Sequence, residues 1–287
     1  MSKNSFVFGS AKIANLPESI GYQIVSMLYE NNVTEIDTAP SYGGSEALIG
    51  KIHRDFPNLE INSKVGLDSS NAFTSTQIKR SVYQSLERLQ ISSINTLFIH
   101  SVPSEYVNSS AFEALADLKK ERVCNKIGYS GDGDDLLKIV QNQTIKLDAI
   151  MFTYNILDQC NRALVGGEDI PGDVYIKRVL ANGVWRRRTP KDCTKDLMGR
   201  TRGHEEYRRR MKKMYPYGIE RGYQSSINFV RGAFPGAKYI VGVSNLKQCK
   251  ELIDFMGKAE EPDNVASKKH EEIFFEETQN TYLAPLT

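Results

Sequence analysis

The sequence predicts an α/β fold, a single (β/α)8 TIM barrel with its chemistry at the C-terminal rim of the strands. Three observations carry this. Short β-branched runs alternate with segments of helical spacing, the pattern of βαβ units and a parallel sheet. Eight such runs fit into 287 residues. No GxGxxG or Walker motif follows any of them, which favours a closed barrel over a doubly wound nucleotide-binding sheet.

The strand candidates are Ser5–Phe8, Val33–Asp37, Leu59–Lys64, Ile94–His100, Lys126–Ser130, Leu147–Phe152, Val174–Arg178 and Lys238–Gly242. Helices are expected between them. After Pro17, suited to a first turn, Ile20, Ile24, Met27 and Leu28 share one face. Thr74 and Gln77 have capping-box spacing, and Ile78, Val82, Leu86 and Leu89 follow as a stripe. Phe112, Leu115 and Leu118 mark another helix, Leu136, Leu137 and Val140 the next, and Ile219–Val230 lies in a further one. Ser244 and Asn245 precede Leu246, Cys249, Leu252 and Ile253 as caps of the last.

No stretch rich in Pro, Gly or Ser divides the chain, so one domain over 1–287 is expected. Two connections are long: Ile156–Gly172, and a basic insertion at about 184–213. Loops of that length are usually functional or disordered. A tail follows at about 262–287, with a short helix expected over Glu271–Glu277.

The composition is 40% hydrophobic and 25% charged, an ordinary globular mix that excludes wholesale disorder. The apolar runs are far below the roughly 18 residues of a membrane helix. The first residues, MSKNSFVFGS, hold no apolar leader core. Cys124, Cys160, Cys193 and Cys249 form no CxxC pair and no His-x3-5-His accompanies them. Free thiols in a reducing cytoplasm are expected, with no metal site and no disulfide framework.

The strand ends carry the functional signal, because barrel chemistry sits there. Asp37, Lys64, His100 and Ser130 close the second to fifth strands, and Tyr42 lies five residues past Asp37. A Tyr hydroxyl, with an ordinary pKa near 10, is a poor acid at neutral pH. A neighbouring Lys cation favours the phenolate and lowers that value. A carboxylate can keep the Lys charged, and a His can orient a carbonyl oxygen. The set suits proton donation to a carbonyl as it accepts a hydride.

The stretch IDTAPSYGGSEALIGK, from Ile36 to Lys51, resembles the catalytic signature of the aldo-keto reductase superfamily. NSKVG, LFIHSV, KIGYSGD, FTYNIL and IVGVSNLKQ follow in that family's order, and the similarity runs from about Phe6 to Met256. The resemblance implies an oxidoreductase transferring a hydride between NAD(P)H and a carbonyl: an aldehyde, a ketone or a sugar derivative. Tyr42 would be the general acid, Asp37 and Lys64 its tuning pair, and His100 the group that positions the carbonyl. The implied cofactor is NADP(H), with NAD(H) as a second option, and no metal. By motif match, Ser130, Asn155, Lys177, Arg178, Ser244, Asn245, Lys247 and Gln248 would hold the cofactor.

Several positions depart from the family pattern. Gly131 follows Ser130 where Asn is common, and Met151 stands where Gln is common. Lys177 and Arg178 end the seventh strand in place of a stacking aromatic. Gln248 aligns with a phosphate-gripping Arg, leaving Lys247 as the nearest cation. The backbone N–H groups of Ser244 and Asn245 are expected to be free for an anion. A modest preference for NADPH over NADH follows. The altered cradle leaves room for an alternative, a cofactor-binding regulatory or structural subunit with little turnover. An isomerase or lyase on the same barrel is a third reading.

Formal net charge is +2, which gives no reason to expect nucleic acid. Residues 184–213, however, hold twelve Lys or Arg against four Asp or Glu, a local +8, so the remainder sums to −6. A solvated surface segment explains this block. So does an anion clamp, in which Arg forks grip the cofactor's 2′-phosphate or a phosphorylated substrate. Nucleic-acid binding is a third and least favoured reading of the block, because one Trp and a modest global charge do not suggest a groove for it. The expected partner is a small-molecule carbonyl, phosphorylated or sugar-linked species included, with no membrane.

Overall fold

The computed structural model describes residues 5–66, 73–142, 146–165, 170–183 and 222–257. Eight strands close into a parallel barrel in sequence order. They are β1 (Phe6–Gly9), β2 (Glu35–Asp37), β3 (Glu60–Val65), β4 (Ile94–His100), β5 (Cys124–Ser130), β6 (Ala149–Thr153), β7 (Asp173–Lys177) and β8 (Lys238–Val241). The helices are α1 (Glu18–Glu30), α2 (Ser45–His53), α3 (Ser75–Leu89), α4 (Ser109–Lys120), α5 (Gly133–Gln141), α6 (Gly222–Ala233) and α7 (Leu246–Met256).

The helix starts follow local chemistry. Thr74 and Gln77 form the expected capping box of α3. Asn108 accepts from the Ala111 N–H at α4, and Asn245 from the Gln248 N–H at α7. Pro17 sits one place earlier than a first-turn residue, as the extended N-cap of α1. The helices bury their apolar stripes on the outside of the barrel, where Ile24, Ile78, Val82, Leu89, Leu115 and Leu136 are all inaccessible or nearly so.

Two differences from the expected pattern bear on the site. The seventh strand stops at Lys177, because Arg178 takes a left-handed φ of 58° and turns the chain out of the ladder. Between β6 and β7 the described residues form no α-helix. They form a bridge between Asn155 and Asp158 and a 3-10 helix over Arg162–Leu164. The basic insertion and the tail helix lie outside the described residues.

Alternation along each strand sorts the barrel interior into layers. Val7, Phe98, Ala149, Met151, Tyr175 and Ile240 pack together as an apolar plug. Below it, toward the strand N-termini, lies a polar floor. Buried Glu35 accepts from Asn62 at 2.7 Å, Tyr175 at 2.6 Å and Lys238 at 2.8 Å. Above the plug lie the C-terminal strand ends.

Candidate active site

The signature around Tyr42 is a folded unit with a physical role for each polar residue. Ala39 accepts the Tyr42 N–H at 3.0 Å, closing a tight turn after β2. Gly43 continues it at φ 61°, where a side chain would be strained. Buried Ser45 ties the start of α2 to Ser10 at 2.8 Å and to Thr38 at 3.0 Å. Glu46, wholly buried, accepts from Ser63 of β3 at 2.6 Å and from Arg88 of α3 at 2.7 Å. Gly50 allows α2 to cross the end of α3, since a Cβ there would stand 2.5 Å from the Arg88 carbonyl. Tyr42 is thereby fixed over the barrel mouth.

Beneath it, Lys64 donates to both carboxylate oxygens of Asp37, at 2.6 and 2.7 Å, and to the Thr38 carbonyl at 2.8 Å. The side chains of the pair are 1% and 4% exposed. Lys64 Nζ also lies 4.8 Å from the centre of the Tyr42 ring, so its charge acts on the Tyr42 hydroxyl. The His100 ring stands edge-on to Tyr42, centroid to centroid 6.1 Å. All four expected catalytic positions therefore meet at one mouth.

The electrostatics correct one expectation. Burial raises the Tyr42 pKa, and the Lys64 charge opposes without reversing it. The hydroxyl is thus held protonated, with Lys64 limiting how weak an acid it becomes. Burial acts to lower Lys64, but the Asp37 carboxylate that it hydrogen-bonds outweighs it and the ammonium is stabilised.

A second, part-buried Lys–Asp pair faces the first. Lys177 Nζ is 3.2 Å from Asp132 and donates to Ser130 Oγ at 3.4 Å. Asp132 also accepts from the Thr153 N–H at 2.6 Å, from Thr153 Oγ1 at 3.0 Å and from Asn161 at 3.0 Å. Sequence reasoning passed over Asp132, which reads as an ordinary acid at the start of α5. The structure turns its carboxylate away from the helix, toward β6. Only the closed barrel brings those partners together.

The other expected cofactor residues divide. Asn155 is inaccessible: it donates to the Arg178 carbonyl at 3.0 Å and accepts from the Leu157 N–H at 2.8 Å. Arg178 acts electrostatically on both Tyr42 and Lys177, so its charge belongs to the mouth. At the start of α7 the expected free N–H of Ser244 is occupied. It donates to Gln248 Oε1 at 2.8 Å, and Ser244 Oγ does so at 3.0 Å. Gln248, one turn into the helix, reaches back where an anion was expected. Lys247 is 85% exposed and 3.9 Å from Glu251. Among the described residues no cluster of His, Cys, Asp and Glu could hold a metal, and no helix is long and apolar enough to cross a membrane.

The model of the aldo/keto reductase family matches residues 5–266. The chain belongs to that family. It is 28% identical over 183 residues, 57% of its length, to the D-arabinose 1-dehydrogenase of Saccharomyces cerevisiae, of which the match covers 54%. It is 25% identical over 189 residues to the D-threo-aldose 1-dehydrogenase of a Pseudomonas species, covering 53% of this chain and 57% of that protein. The matches thus span little more than half the length of these curated relatives. Among solved structures, the holo form of an aldo-keto reductase from Bacillus halodurans superposes with a TM-score of 0.76. It has 20% identity over 94% of this chain and 91% of that one, a likeness of fold.

Proposed function

We propose that this aldo/keto reductase family member is an NAD(P)H-dependent oxidoreductase acting on a small carbonyl compound, with Tyr42 as proton donor. The observation that carries the reading is the buried, bidentate Lys64–Asp37 pair set directly under Tyr42 with His100 beside it. A buried ion pair is costly to desolvate and adds little net stability. It earns a place at a barrel mouth by what it does to a neighbouring acid. Tyr42 and His100 offer two hydrogen-bonding groups to one carbonyl oxygen, and Tyr42 delivers a proton as charge develops there. Asp37 keeps Lys64 charged, and Lys64 steadies the phenolate that remains.

The donors lining the rest of the mouth fit a nicotinamide cofactor: Ser130 and Lys177 present inward polar groups beside the reacting set. When bound, that cofactor supplies the hydride. Ser130, Lys177 and Arg178 would hold its reactive end, with Asn155 acting through the Arg178 carbonyl. Toward its adenosine end the described residues offer a weak phosphate grip: Gln248 occupies the Ser244 N–H and Lys247 is solvated. This supports binding of NADP(H) with only a modest preference over NAD(H). The names of the curated relatives point to sugars, so aldoses and other polyhydroxylated carbonyls, with or without a phosphate, are the first substrates to try. The buried free thiols of Cys124 and Cys249 suit a reducing cytoplasm.

The test is turnover of a panel of aldoses, simple aldehydes and ketones, followed by cofactor absorbance, beside the same panel with Tyr42→Phe. Substrate-dependent oxidation of NAD(P)H that Tyr42→Phe abolishes is the expected result. Cofactor binding without turnover of any carbonyl would favour the regulatory-subunit reading instead.

A further inference from the structure

The barrel order sets Lys177 against the reacting set. In a ring of eight strands, β7 is four places from β3, so Lys177 rises from the wall opposite Lys64. Its amine reaches Ser130 on β5, two strands away, which a side chain pointing outside the barrel could not do. Its charge is felt by Lys64 and by Asp37, so the two amines converge on one mouth. Asp132 holds Lys177 from behind, and Asp132 is itself anchored by Thr153 and Asn161. Two Lys–Asp pairs thus face each other, and Arg178 adds a cation.

We infer that Lys177 makes the mouth discriminate between the two redox states of a nicotinamide, favouring the reduced form and so biasing the chain toward carbonyl reduction. The inference rests on the proposed function. A ring that passes hydride to a carbonyl held by Tyr42 and His100 has to enter the same mouth. The oxidised ring carries a positive charge and the reduced ring none, while the rest of the cofactor is unchanged between them. A cation set inside the mouth therefore opposes only the oxidised form, and the part-buried position of Lys177 weakens the screening of that opposition by water. The Asp132 carboxylate works the other way, but it lies behind the amine and is occupied by four donors. Lys177 is a specificity-determining residue in this account, and Asp132 a positioning residue that also moderates its charge.

Two substitutions with opposite expected signs test this. The full-length chain is titrated with NADPH and with NADP⁺ by calorimetry, and the ratio of the two Kd values is the readout. The wild type binds the reduced form more tightly. Lys177→Met narrows the ratio by roughly three- to tenfold, up to about 1.4 kcal/mol, while Lys177→Arg keeps it. Asp132→Asn widens it, because the amine loses its counter-charge. An unchanged ratio in Lys177→Met overturns the inference. So does a shift in the same direction in both variants, which marks a structural effect. If Asp132→Asn does not fold, the Met and Arg variants at 177 decide alone. Failure of the wild type to bind either form would overturn the proposed function and this inference with it. Equal binding of both forms would overturn this inference only.

Discussion

Replacing Lys64 by Met removes one charge from the centre of the mouth and separates its structural cost from its catalytic one. Lys64 Nζ lies 4.8 Å from the Tyr42 ring centre. At an effective dielectric of about 20, a unit charge at that distance is worth about 3.5 kcal/mol to a phenolate. With roughly half of that felt in the transition state, reduction should slow on the order of 10- to 100-fold. The sign in pH follows: Lys64 opposes the burial that raises Tyr42, so its loss moves the alkaline limb of the reduction profile to still higher pH. Stability should fall too, by about 3–5 kcal/mol, because Asp37 is left buried and unpaired. The double variant Asp37→Asn with Lys64→Met removes that stranded charge. It should recover most of the stability, read as the urea midpoint, and none of the rate. A Lys64→Met protein with the wild-type rate and pH profile would refute the tuning argument. A double variant that regains activity would refute it as well.

Tyr42→Phe should lower kcat on the order of 10²- to 10⁴-fold with little change in cofactor Kd, since the ring remains; near wild-type turnover would remove Tyr42 from the mechanism. Glu35→Ala removes the shared acceptor of Tyr175, Asn62 and Lys238 in the barrel floor, although Lys238 keeps Asp173 at 3.7 Å. It should cost about 1–3 kcal/mol in denaturant melts, the range for buried donors left without their acceptor, while the folded fraction keeps its KM values, because the apolar plug separates floor from mouth. Titration of NADPH against NADH should show a preference below roughly 100-fold, about one charge-assisted hydrogen bond. Raising the salt should shrink that preference. A salt-independent and strong preference would show that the weak grip at α7 is not what reads the 2′-phosphate.

The strands, their parallel order and the four polar residues at one rim were legible in the chain because they rest on local rules. β-branched runs of four to seven residues, helical stripes between them and a Thr74–Gln77 box are periodic signals. Once strands alternate with helices, the barrel's topology places every strand end on the same face. Asp37, Tyr42, Lys64 and His100 were readable for that reason. The pairing at the opposite wall was not. Asp132 reads as a helix-start acid, and its real partners, Thr153, Asn161 and Lys177, are 21 to 45 residues away in sequence. Glu46 gave no sign that it would be buried against Ser63 and Arg88. The free N–H expected at Ser244 failed because a Gln side chain can fold back on its own helix start, a choice of rotamer that residue identity alone leaves open. Tyr42 shows the division most clearly. Sequence spacing put a cation beside it and so implied a lowered pKa. Closure of the barrel also took it partly out of water, and that desolvation of a phenolate outweighs one neighbouring charge.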